Sequence, residues 1–74
     1  PVKSTAHLEY TAVTEGTARI RVFDLTGRLQ LDQEFPSEPG LNRVEIDTDP
    51  LPAGSYVLLL SGEQERSVRM VVQD

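Results

Sequence analysis

Polar and apolar residues alternate along most of the chain. From Thr5 to Val13, Leu8, Tyr10 and Ala12 fall on one parity and His7, Glu9 and Thr11 on the other. A period of two over that length predicts a strand with one face buried. Glu15-Gly16 breaks it. Ala18 to Leu25 repeats the pattern, with Ala18, Ile20 and Val22 inward and Arg19 and Arg21 outward. Phe23 and Leu25 sit on the outward parity, which predicts a strand end covered from both sides or a local bulge. Asp24-Leu25-Thr26-Gly27 is a turn: Asp bonds its own backbone two residues on, and Gly accepts positive φ. Arg28 to Phe35 then places Leu29, Leu31 and Phe35 on one parity, completing a β-hairpin.

Pro36-Ser37-Glu38-Pro39-Gly40 is the strongest breaker. Leu41 to Asp47 resumes the alternation, with Val44 and Ile46 inward. Asp49-Pro50-Leu51-Pro52-Ala53-Gly54 reads as a rigid connection. Tyr56-Val57-Leu58-Leu59-Leu60, within Ser55 to Ser61, is nearly continuous and apolar, as for a strand central in a sheet or buried on both faces. Gly62-Glu63-Gln64-Glu65 is a polar reversal, and Arg66 to Gln73 closes with Val68, Met70 and Val72 on one parity. Six strands follow, with a short seventh at Val2-Lys3-Ser4. The predicted core is Leu8, Tyr10, Ile20, Val22, Leu29, Leu31, Val44, Ile46, Tyr56, Leu58, Leu60, Val68 and Met70. No segment holds a helical period, so the residues alone predict an all-β chain, a sandwich or small barrel.

The chain has 74 residues, which fits one domain spanning 1–74. At this size folding buries only about 60% of the unfolded surface, and without Cys no disulfide adds to it. Twelve acidic residues against seven basic ones give a net charge of −5, which argues against nucleic-acid binding and anionic membrane surfaces. No apolar run approaches the length needed to cross a bilayer, and no secretory signal peptide is evident in this stretch.

Catalytic and metal chemistry find little footing. His7 is the single histidine and falls on a polar parity. No serine lies in a nucleophile elbow. Asp24, Asp47 and Asp49 lack the length and glycine of a calcium loop and read as strand-end and turn-capping residues. Arg19, Arg21 and Arg43 could form a carboxylate- or phosphate-binding patch, but the acidic excess favours cross-strand pairing with Glu9, Glu34 or Glu45. The expectation is a chain that is not an enzyme and takes no cofactor or metal.

Three stretches together carry a resemblance. Ala18-Arg-Ile-Arg-Val-Phe-Asp-Leu-Thr-Gly-Arg28 is a strand followed by Asp-Leu-x-Gly-Arg. Leu51-Pro-Ala-Gly-Ser-Tyr-Val-Leu-Leu-Leu60 opens a hydrophobic strand with Pro-Ala-Gly-x-Tyr, and Arg66-Ser-Val-Arg-Met-Val-Val72 ends the chain with a basic residue before Met-Val-Val. In this order and spacing the chain resembles the C-terminal sorting domain of the type IX (Por) secretion system of Bacteroidetes. Asp24, Gly27 and Arg28 match the first motif, Pro52, Ala53, Gly54 and Tyr56 the second, and Arg69, Met70, Val71 and Val72 the third. Two departures stand out. Family members open with Tyr-Pro-Asn-Pro, whereas this chain starts at Pro1, as a released or excised domain would. The terminal basic residue is usually Lys, and Arg69 keeps the charge with a different hydrogen-bond geometry.

The resemblance implies an immunoglobulin-like antiparallel β-sandwich of six to seven strands in two sheets. It implies a secretion signal that takes a preceding cargo from the periplasm across the outer membrane to the cell surface or medium. A sortase-like peptidase usually then cuts the signal off. The implied partners are the outer-membrane translocon, a shuttle protein and that peptidase, with no nucleic acid and no direct membrane insertion. Arg69 to Asp74 (Arg69, Met70, Val71, Val72, Gln73 and Asp74) are the expected recognition segment, and the first two motifs are expected to be turn and core devices. The alternative is an immunoglobulin-like accessory module, a spacer or adhesin unit of a larger extracellular protein.

Overall fold

The computed structural model describes residues 5–73, so the expected strand at Val2-Lys3-Ser4 lies outside the described residues, as does Asp74. Six strands follow in order: β1 (Thr5–Ala12), β2 (Gly16–Asp24), β3 (Leu29–Ser37), β4 (Gly40–Asp47), β5 (Gly54–Ser61) and β6 (Arg66–Val72). Each lies within two residues of its predicted bounds, and no helix occurs among the described residues. All pairings are antiparallel. One sheet holds β1 and β4, and the other runs β3-β2-β5-β6. Two sheets joined largely by sheet-switching connections form a sandwich of immunoglobulin-like type.

The apolar run of β5 is explained by its place. It lies between β2 and β6, with Tyr56, Leu58 and Leu60 buried on the inner face and Val57 and Leu59 half-buried on the other. The core joins those residues to Ala18, Ile20 and Val22 of β2, Val44 and Ile46 of β4, and Val72 of β6. Leu51 also enters it, from the connection between β4 and β5. An apolar side chain between two prolines has no period to betray it, yet its full burial stabilises by roughly 1.5–3 kcal/mol.

Two expected core residues are not in the core. Leu29 is 47% exposed. A bulge shifts the β2–β3 register, so Leu31 pairs with Val22 on the inner face while Leu29 pairs with Phe23 on the outer one. The extra residue, Gln30, breaks the parity that would have carried Leu29 inward. Val68 pairs with Leu58 on the inner parity but remains 46% exposed, on what is the edge strand of its sheet among the described residues and beside a groove that separates it from Ala6 and Leu8 of β1. Leu8, Tyr10, Leu31 and Met70 are half-buried around the core. β3 is the opposite edge strand and contains Pro36, a residue tolerated at edges because it donates no ladder hydrogen bond.

Candidate recognition surface

Among the described residues β6 pairs with β5 alone, from Arg66 opposite Leu60 to Val72 opposite Gly54, so none of them pairs with its other side. The alternation predicted for it holds at its end: Arg69, Val71 and Gln73 are exposed, Met70 is half-buried and Val72 is buried. The expected recognition segment thus divides by face. Arg69, Val71 and Gln73 face solvent, Met70 and Val72 anchor the strand, and Asp74 lies outside the described residues. Among the described residues the Arg69 side chain makes no hydrogen bond or ion pair. Between β6 and β1 runs a groove of about 290 Å³, lined by Ala6, Leu8, Val68 and Met70 with Ile46 and Leu58 beneath.

The other two motifs are architectural. Asp24 organises the β2–β3 turn. Its Oδ1 accepts from Thr26 N at 2.9 Å, Thr26 Oγ1 at 2.6 Å and Arg28 N at 3.0 Å, while Oδ2 accepts from Gln30 Nε2 at 3.0 Å. Those donors, the Thr26 hydroxyl foremost, hold the Asp24 carboxyl below the usual carboxylate range. Gly27 closes the turn at φ +88°, as its position predicts, and its N–H donates to Asp24 O at 3.0 Å. In the second motif the Tyr56 hydroxyl donates to the Pro52 carbonyl. Tyr56 itself is buried, so the bond fastens the connection to the start of β5, the device of a tyrosine corner. Gly54 allows the entry at φ +155°.

Glu63 was read from sequence only as part of a polar reversal. Its carboxylate accepts from Val13 N at 2.9 and 3.1 Å and from Thr14 N and Thr14 Oγ1 at 2.6 Å each. Thr14, through its hydroxyl, is the main reason its carboxyl is held below the usual range. The contact spans about fifty positions of chain, and no local pattern could have announced it.

The arginines also sort themselves. Arg43 Nε lies 3.3 Å from Glu9 Oε2 across β1–β4, as expected. Arg19 pairs with Asp32 rather than with Glu34 opposite it, through Nε–Oδ1 at 2.7 Å and Nη2–Oδ2 at 2.5 Å. The diagonal neighbour lets the guanidinium bond both carboxylate oxygens, and this bond lowers the Asp32 carboxyl below its usual range. Arg21 meets Ser61 Oγ at 3.4 Å, and its Nε is buried without a partner. His7 is exposed, 3.8 Å from Glu45. Asp47, the expected strand end, itself accepts from Asp49 N at 3.0 Å.

A family model described as the secretion system C-terminal sorting domain matches residues 1–73. No curated protein and no solved structure matches the chain.

Proposed function

The chain belongs to the family of secretion system C-terminal sorting domains, and on that footing we propose that β6 is the strand its export machinery reads. The family's role is that of a C-terminal secretion signal for the type IX system, which implies a preceding cargo and export to the cell surface or beyond. The accessory-module reading is not favoured by this membership.

The finer reading is as follows. Residues 1–74 act as one non-catalytic sorting domain that passes through the periplasm. The outer-membrane translocon captures it by adding a strand to the free edge of β6, where unpaired backbone groups supply affinity and alternate side chains supply specificity. Arg69, Val71 and Gln73 carry the specificity, while Met70 and Val72 hold the strand to the core. A shuttle protein and a sortase-like peptidase act later, the peptidase on the chain before the domain. The observation that supports this most is that β6 combines an edge paired by no described residue with an exposed Arg69 whose side chain no described residue engages.

The test fuses residues 1–74 to a periplasm-directed fluorescent passenger in a bacterium with a working type IX system. A second fusion carries Arg69→Glu and Gln73→Glu, both on the exposed face and so harmless to the core. The expected result is wild-type passenger on the surface or in the medium, with the reversed variant folded in the periplasm. Equal export of both would overturn the assignment to these residues, and retention of the wild type would overturn the sorting role.

A further inference from the structure

The outward face of an antiparallel sheet in a sandwich is ordinarily polar. In the four-stranded sheet it is not. Leu29, Phe23, Val57 and Arg69 are successive partners across β3, β2, β5 and β6. Leu59 stands in the next outward row, between Arg21 and Ser67. Val71 lies two residues beyond Arg69 on the same face. Phe23, Val57 and Leu59 are half-buried, and Val71 and Leu25, at the same end of the sheet, are 58% and 68% exposed. An apolar band across four strands is more than scattered surface residues, and such bands mark interaction sites.

We propose that this face is a docking surface for a protein partner that presents carboxylates around an apolar patch. The charge pattern selects that occupant. In a chain of net charge −5, Arg21 and Arg69 both border the band. Arg19 is already neutralised by Asp32; Arg21 makes no ion pair of its own, although Asp32 stands opposite it in register, and Arg69 has no carboxylate partner among the described residues. A second copy docked face to face about a two-fold axis would set these arginines against their own like. An anionic membrane surface would meet the acidic excess of the rest of the chain. The sorting role, on which this rests, places the partner in the export machinery. The face engages it in addition to the β6 edge, and Arg69 and Val71 belong to both.

Three fusion variants test it in the export assay. One carries Phe23→Thr, Val57→Thr and Leu59→Thr, which keep strand propensity while removing the band. The others are Arg21→Gln and Arg21→Lys. Arg43→Glu, on the outer face of the other sheet, is the control. Loss of a carboxylate contact and of apolar area predicts that the threonine variant and Arg21→Gln fall roughly tenfold in exported fraction. Arg21→Lys should recover most of the loss, and Arg43→Glu should match wild type. Arg21→Gln leaves the band intact, so it decides the matter should the threonine variant fail to fold. Export of the folded face variants at wild-type level overturns the docking face and leaves the sorting role standing. Retention of the wild type itself removes the sorting role and this partner together. A free domain that dimerises in sedimentation, or binds phosphatidylglycerol vesicles, through this band overturns the assignment of a protein partner.

Discussion

Glu63 and Thr14 meet across the end of the sandwich, with one carboxylate oxygen accepting both the Thr14 amide and the Thr14 hydroxyl at 2.6 Å. Glu63 sits in the β5–β6 turn and Thr14 in the β1–β2 connection, so the contact joins segments next to different sheets. Glu63→Ala removes the acceptor of three donors while burying nothing new. Its expected outcome is a lower melting temperature with an unchanged β spectrum, and faster amide exchange at Val13 and Thr14. Unchanged exchange at both amides would show the clamp to be idle in solution.

Acid should loosen the domain. Asp24, Asp32 and Glu63 all have folded-state pKa values below their ordinary ones, through hydrogen bonds from Thr26, Arg19 and Thr14 foremost. A depressed carboxylate contributes stability that is present above its unfolded pKa and disappears as pH falls through its folded one. The unfolded values are about 3.9 for Asp and about 4.3 for Glu, so stability should hold at neutral pH and decline below about pH 4. Thermal melts from pH 7 to pH 2 check this, and Asp24→Asn, Asp32→Asn and Glu63→Gln should together flatten the decline.

Gly27→Val should destabilise by about 1–2 kcal/mol, because a β-branched residue resists positive φ. Gly27 adopts +88°, and no neighbour stands where its Cβ would be. The cost is therefore conformational rather than steric crowding by the rest of the fold. Chemical denaturation of the two proteins measures it, and Gly27→Asn should recover part of the loss, since Asn tolerates the left-handed region.

Local pattern carried most of the fold into view and failed where geometry is set at a distance. Period two located every described strand, and Asp-Leu-Thr-Gly located its turn, since both are written in neighbouring residues. The bulge at Gln30 was hinted at by Phe23 and Leu25, but its consequence for Leu29 lay on the partner strand. Leu51 is buried by the path of a connection rather than by a period. Val68 keeps the right parity and lacks cover, because the number of strands in the facing sheet is not a property of β6. In the proposed recognition segment, Arg69 and Val71 were legible as outward residues. Glu63 and the Arg19–Asp32 pair were not, because each depends on which side chains the fold brings together.

The two borders of the four-stranded sheet are unlike. β3 contains Pro36 next to its last residue, carries Asp32 and Glu34 and is kinked by its bulge, three devices that discourage another strand from joining. β6 has no proline, no acid and no register break. The sheet can therefore grow from one border and not from the other. Within the four-stranded sheet such an arrangement has a valency of one: a partner can cap the β6 border, but this sheet offers no second border from which the addition could be passed on.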